Sequence, residues 1–129
     1  MGDQARIWHI YWVSECRHRV PTPGPKFVAI VCRDEFPMGF LINSKIRQWI
    51  KKEPTRLATQ AQLLQIEHRF LDADSWVDCR NLYPFTDDEL VSHRQRIGKR
   101  GIAAILEAVS NSTTIISDHK ELIQKRIKR

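Results

Sequence analysis

The sequence predicts an α+β fold in which a small barrel or sheet of about five strands is closed by helices at its C-terminal end. Short segments rich in β-branched and aromatic residues fill the first two thirds of the chain, whereas helical spacing of apolar residues dominates after residue 85. The 129 residues and the hydrophobic fraction of 42% suit one packed domain over residues 1–129.

The first three predicted strands cover residues 7–13, 26–32 and 38–42, because each is dense in Val, Ile or other large apolar side chains. Both alternating faces of the first strand are largely apolar, so we expect it to be covered on both sides. Three prolines and a glycine predict a long loop over 14–25. A turn over 33–37 joins the second and third strands in a predicted hairpin.

A short inserted helix is predicted over residues 45–52, because its apolar side chains fall on one helical face. Ser44 is its predicted N-cap, and Pro54 ends it. Two further strands are predicted over 60–66 and 75–79, which brings the expected number to five.

Three helices are predicted in the last third of the chain. Thr86 and Glu89 have the three-residue spacing of a capping box, which predicts a helix through about residue 95. Apolar side chains at helical spacing predict a second helix over 102–109. A last amphipathic helix is predicted to begin at Ile115 or Asp118.

Cysteine usage and hydropathy indicate a cytoplasmic protein without membrane contact. No apolar run approaches the roughly 20 residues that cross a bilayer, and the first residues do not resemble a signal peptide. Cys16, Cys32 and Cys79 are an odd number at irregular spacing, which favours a reducing compartment. Cys16 and His18 form only a lone Cys-x-His pair, so we predict neither a metal site nor a cofactor.

The positive charge is concentrated at one end of the sequence. The net charge is +6, and residues 92–129 contain nine Lys or Arg against three Asp or Glu, whereas the preceding residues balance. Basic clustering of this kind is typical of a phosphate-binding surface, but a solvated helical face and a helix C-terminus have the same composition.

Five sequence features occur in a fixed order over residues 2–110. They are Gly2–Asp3 before an aromatic strand, PGPKFVAIVC at 23–32, Ile-Asn-Ser at 42–44, DSWVDCRNLYPF at 74–85, and Leu-Glu-Ala-Val at 106–109. In this order the chain resembles the MazF/PemK toxin family of small SH3-like barrels. The segment from about 110 to 129 then corresponds to a C-terminal helical extension.

The resemblance implies metal-independent cleavage of single-stranded RNA. Lys26 stands where the family has a reactive arginine, and Asn43 or Ser44 stands where it has a threonine or serine. Lysine supplies a point charge in place of the two-pronged guanidinium, and asparagine cannot act as a base. The resemblance also implies a homodimer and a cognate antitoxin that blocks the site.

Further candidate residues follow from their chemistry. His68 lies at the end of a predicted strand and suits acid–base catalysis, although a lone histidine is also a common structural hydrogen-bonding group. Asp78 and Arg80 flank Cys79, so they can pair with each other. The predicted RNA contacts are Arg17, Arg19, Arg69 and Arg80.

The sequence therefore supports two hypotheses about function, one enzymatic and one for binding alone. The first is a type II toxin-like endoribonuclease that acts on single-stranded RNA. The second is an SH3-like barrel without catalysis that binds protein or nucleic acid. A gyrase-directed poison is a third possibility that rests on fold kinship alone.

Overall fold

The computed structural model describes residues 4–127 and contains seven strands and four helices within that range. The strands are β1 His9–Cys16, β2 Gly24–Asp34, β3 Phe36–Asn43, β4 Gln60–Leu63, β5 Ser75–Asp78, β6 Tyr83–Pro84 and β7 Ser92–Arg96. The helices are α1 Gln48–Lys51, α2 Pro54–Leu57, α3 Lys99–Asn111 and α4 Ser117–Ile127. Gly2 and Asp3, and the last two residues of the predicted extension, lie outside the described residues.

The strands form one antiparallel sheet in the order β4-β5-β3-β2-β1-β7, and β6 pairs with β3 beside that path. The sheet curls into a half-barrel. The α+β prediction is therefore confirmed, as are the five predicted strands and the hairpin of β2 and β3. The two strands of the hairpin are longer than predicted, because Glu35 makes the reversal alone with a left-handed φ of 61°.

The predicted helix from Thr86 to residue 95 is wrong. The two hydrogen bonds of a capping box do form: the Thr86 amide donates to Glu89 Oε1 at 2.8 Å, and the Glu89 amide donates to Thr86 Oγ1 at 3.2 Å. They close a single turn, after which the chain becomes β7. The edge of β1 offers unpaired backbone groups to this polar segment, which has no apolar helical face to bury.

The inserted helix is also shorter than predicted, because α1 covers only Gln48–Lys51. Pro54 lies after its end as predicted, but it also begins α2, a second short helix that was not predicted. Arg47 occupies the N-cap position of α1, and no side chain caps it. Ser44 is therefore not the cap, and its hydroxyl is exposed at the end of β3.

Apolar side chains pack on both faces of the sheet. One face carries the larger core, in which Ile10, Phe40 and Val77 pack with residues of the two C-terminal helices such as Ile105 and Ile123. The opposite face carries a smaller core that includes Tyr11, Val28, Leu41 and Phe85. The first strand is thus covered on both sides, as predicted.

Helices α3 and α4 confirm the last two predicted helices. They close the larger core, with Ile102, Ile105 and Val109 of α3 facing inward. No helix within residues 4–127 is long and apolar enough to cross a bilayer.

A close approach of backbone fixes the hairpin at Gly39. A Cβ atom at this position would press on the Ala29 carbonyl oxygen of β2, well inside van der Waals contact. We expect Gly39→Ala to lower the free energy of unfolding by about 2 kcal/mol, because the strands must separate to admit the methyl group.

Urea denaturation measures this change, with Gly24→Ala as the matched control. A Cβ atom at Gly24 would meet only the mobile end of the Arg19 side chain. Equal stability losses in the two variants would contradict the account.

A pair of histidines joins the edge strand β7 to β1. His9 Nδ1 lies 2.7 Å from His93 Nε2. Burial, followed by the neighbouring charges of His93, Arg6 and Arg96, lowers the pKa of His9 from 6.5 to about 4. The folded protein therefore disfavours the protonated imidazole.

The pKa of His9 is lower in the folded than in the unfolded chain. The contribution of His9 to the free energy of unfolding is therefore fully present above pH 6.5 and is lost as the pH falls towards 4. We expect His9→Gln to flatten this dependence in urea denaturation between those pH values. Solvent screening keeps the effect smaller than for a fully buried histidine. His119→Gln, on α4, serves as the control, and an unchanged slope in His9→Gln would refute the assignment.

Candidate functional site

A cavity of about 500 Å³ opens where β2 begins, where β3 ends and where the chain turns into α1. We call it the cationic pocket. Its polar lining consists of His18, Lys26, Asn43, Ser44, Lys45, Arg47, Gln60, Asp78, Arg80, Asn81 and Tyr83. Its apolar lining consists of Val20, Leu41, Ile46, Trp49 and Ile50.

Lys26 is held in place by acceptors on the neighbouring strand. Its ammonium donates to the Ile42 carbonyl oxygen at 3.4 Å and to Asn43 Oδ1. Burial, and then the charge of Arg19, lowers the pKa of Lys26 from its ordinary value. Since an ammonium has three donors, one remains for an anion in the pocket.

Asp78 and Arg80 form a two-pronged ion pair at the end of β5. Arg80 Nε lies 2.8 Å from Asp78 Oδ1, and Arg80 Nη2 lies 2.6 Å from Asp78 Oδ2. Burial would raise the pKa of Asp78, but hydrogen bonds from Arg80 and Gln60 outweigh it and hold that pKa below its ordinary value. The positions of these two residues on either side of Cys79 predicted that they can pair, and the pairing fixes the direction of the Arg80 guanidinium.

Trp49 forms the wall of the pocket beside Arg80. The Arg80 guanidinium lies 4.7 Å from the centre of its ring, and that of Arg56 lies 5.3 Å from it. Trp49 is nevertheless 45% exposed. A partly exposed indole ring can stack with a planar ligand.

His18 is one of several pocket residues that were not among the predicted site residues. Its ring stacks on Tyr83 at 4.4 Å, and its Nε2 donates to the Pro84 carbonyl oxygen at 2.8 Å. In the neutral ring Nδ1 is then left as a proton acceptor. Its position between two arginines in a proline-rich loop was the available signal, but the contact with β6 is not visible in the sequence.

The structure brings four of the eight predicted site residues together. Lys26, Asn43, Ser44 and Arg80 line the cationic pocket, although they come from β2, β3 and the end of β5. Lys26 and the hydroxyl of Ser44, to which the resemblance gives roles in cleavage, therefore lie on one surface.

His68 does not line the cationic pocket. Its side chain is fully buried, its Nδ1 donates to the Leu64 carbonyl oxygen at 2.9 Å, and its Nε2 accepts from the Gly98 amide at 3.0 Å. Both nitrogens are therefore engaged with backbone, as in the structural alternative given above.

The remaining predicted arginines lie outside the lining. Arg17 donates to the Pro84 carbonyl oxygen at 3.0 Å and pairs with Glu89 at 3.5 Å. Arg19 is half-buried near Gly24, and Arg69 is exposed. Arg17 and Arg19 flank His18, so they can contact a chain that leaves the pocket.

The charge of the pocket has a different origin from the net charge of the sequence. Four cationic side chains and one carboxylate line it, and all five belong to the part of the chain whose charges balance. Folding thus concentrates positive charge where composition shows none. Among residues 4–127, no group of three or more His, Cys, Asp or Glu side chains is placed to hold a metal ion.

The chain matches no family model and no curated protein. A function can therefore be inferred only from the geometry and chemistry of the pocket.

The ion pair of Asp78 and Arg80 can be tested by a charge-conserving change. We expect Arg80→Lys to raise the pKa of Asp78 towards its ordinary value and to lower the free energy of unfolding by about 1–2 kcal/mol, because lysine cannot donate two parallel hydrogen bonds. NMR titration of Asp78 and urea denaturation measure the two effects. Arg69→Lys is the exposed control, and a wild-type pKa of Asp78 in Arg80→Lys would contradict the account.

Proposed function

We propose that this chain is a toxin-like domain that binds single-stranded RNA in the cationic pocket and cleaves it without a metal ion. The observation that carries the proposal is the meeting of Lys26, Ser44 and His18 in one positively charged cavity. A phosphodiester needs a cation near its oxygens, a polar group at the 2′-hydroxyl and a proton-transfer group. The pocket offers each of these.

Binding depends on the cationic side chains of the lining. Lys45 and Arg47 are exposed at the rim, where they can reach phosphates on either side of the one that Lys26 contacts. Because each contact releases counterions, the affinity falls as salt rises. The exposed Trp49 adds a surface on which a base stacks, which favours single strands over duplex.

Cleavage follows from attack of the 2′-oxygen on the adjacent phosphorus. The new bond joins the 2′-oxygen to phosphorus, the bond to the 5′-oxygen breaks, and the 2′-hydroxyl proton passes to His18 Nδ1 while the leaving 5′-oxygen takes a proton from solvent. Ser44 donates a hydrogen bond to the ribose, and the free donor of Lys26 stabilises the charge on the pentavalent phosphate. Asn43 positions the ammonium of Lys26 through its side-chain oxygen.

Binding without cleavage is the second candidate function, and one observation favours it. The ammonium of Lys26 already has two protein acceptors, an arrangement that suits a fixed phosphate contact without any chemical step. In that case the domain is a nucleic-acid-binding module with the same pocket.

The proposal extends to the fold and to the partners. We propose that the half-barrel is an SH3-like barrel. We also propose that the domain forms a homodimer and is inhibited by an antitoxin. An acidic antitoxin segment would complement the cationic lining and exclude RNA by occupying it.

The first test is cleavage of a mixed-sequence single-stranded RNA in EDTA. We expect the wild type to cut it, and we expect Lys26→Ala to cut it about 100-fold more slowly, because the charge of the transition state loses its partner. His18→Gln should slow cleavage while leaving RNA affinity nearly unchanged.

Lys99→Ala is the matched control, since Lys99 is exposed at the start of α3 outside the pocket. Circular dichroism confirms that each variant is folded. An undiminished rate in Lys26→Ala would remove this residue from the mechanism. Tight binding of uncut RNA would favour the module, and absence of both binding and cleavage would refute the proposed function.

A further inference from the structure

A smaller cavity of about 220 Å³ adjoins the cationic pocket at the same end of the β2–β3 hairpin. We call it the aromatic cleft, because the rings of Trp12 and Phe27 form part of its wall. Pro25, Ile42 and Leu71 complete its apolar lining together with Ala73. A cavity of this size is below the roughly 300 Å³ of the smallest drug-sized pockets, so it suits a single group of a larger ligand.

The two cavities lie on opposite faces of the sheet. Trp12 pairs with Phe27, and Phe27 pairs with Ile42, so these three side chains form one row on the same face. Phe27 and Ile42 pack with the larger core. Leu41 and Tyr83, which line the cationic pocket, pack with the smaller core on the opposite face. The end of the hairpin is therefore the boundary between the cavities.

Lys26 and Ser44 are the residues that line both cavities. Lys26 lies near the start of β2, and Ser44 follows the last residue of β3, so both occupy the boundary. A phosphate that Lys26 contacts there has one cavity on each side. The two nucleosides that this phosphate joins can therefore enter different cavities.

The charge of the aromatic cleft favours a base over a second phosphate. Lys26 and Asp72 are the charged side chains of its lining, whereas four cations and one carboxylate line the cationic pocket. A second phosphate would gain no net attraction in the cleft, because Asp72 repels it. A neutral base has no such penalty, and its ring buries apolar surface against the cleft wall.

The two rings of the cleft are fixed by their neighbours. The ring centres of Trp12 and Phe27 lie 4.7 Å apart at an interplanar angle of 60°, and Phe70 contacts Phe27 in a T-shaped arrangement at 5.0 Å. Both rings that line the cleft are only half-buried, so part of their surface faces the cavity. Side chains already held in place lose little freedom when a base stacks on them.

We infer that the aromatic cleft binds one base of the RNA, with Trp12 as its stacking partner. The inference rests on the proposed function, because Lys26 contacts the phosphate next to this base. The base on the other side of that phosphate stacks on Trp49 in the cationic pocket. Adjacent bases are then held on opposite faces of the sheet. This separation releases the backbone between them from stacked geometry and lets the 2′-oxygen align with the bond to be broken.

The test uses a 2′-O-methyl adenine dinucleotide, whose single phosphate prevents a shift in register and whose methyl group prevents cleavage. Two further probes lack the base at the first or at the second position. NMR titration of the full chain follows the indole N–H resonances. We expect the intact probe to shift those of Trp12 and Trp49. One abasic probe should shift only that of Trp12, and the other only that of Trp49.

Three variants measure the contribution of each group. We expect Trp12→Leu to weaken binding of the intact probe about tenfold, as for one stacked base. It should leave unchanged the affinity for the probe that lacks the base bound in the cleft. Trp76→Leu is the matched control, because Trp76 is also a half-buried strand residue but lines neither cavity. Lys26→Ala should weaken all three probes by the same factor.

Two outcomes would overturn the inference and leave RNA binding in the cationic pocket intact. The first is a Trp12 resonance that stays unchanged while the intact probe saturates the shift of Trp49. The second is equal weakening of all three probes by Trp12→Leu, because the loss would then not depend on the base.

A longer RNA separates the inference from the proposed function. Absence of dinucleotide binding, with saturable binding of a mixed-sequence 2′-O-methyl RNA, would overturn the inference alone. Absence of binding to both ligands would overturn the inference and the proposed function together.

Discussion

The β2–β3 hairpin holds the rest of the molecule in place because apolar side chains cover both of its faces. Residues 28–32 of β2 and 37–42 of β3 are buried without interruption, and side chains of β2 contribute to the core on either side of the sheet. The absence of a Cβ atom at Gly39 allows the two strands to approach. A hairpin anchored in this way cannot tilt without disturbing both cores.

The cationic pocket lies at the end of the hairpin where the continuously buried residues give way to exposed ones. Lys26 lies just before the buried run of β2, and Asn43 and Ser44 lie just after that of β3. The polar side chains that the cores exclude are therefore gathered at one end of the hairpin. Asp78 then fixes Arg80 against Trp49, and these two side chains form a wall between the cationic pocket and a neighbouring cavity.

The sequence predicted those elements whose pattern reflects burial. Strands covered on both faces must be continuously apolar, and β1, β2 and β3 were predicted for that reason. It did not predict β6, where two residues including Pro84 have no strand pattern, or β7, where pairing with β1 outweighs a local capping box. The predictions for Lys26, Asn43 and Ser44 came from the family resemblance, which assigned their roles by position at the ends of the second and third predicted strands. His18 was missed because its position depends on a contact with Tyr83, which is far away in the sequence.

NMR titration of the protein with a 2′-O-methylated single-stranded RNA tests the central claim most directly, because it identifies which residues meet the ligand. The account predicts that the side-chain resonances of Lys26, His18 and Trp49 shift together and saturate at one RNA concentration. It also predicts that added salt reverses these shifts. Saturable RNA binding that shifts the resonances of α3 and α4 while these three remain unchanged would contradict the account and place the interface on the basic C-terminal helices.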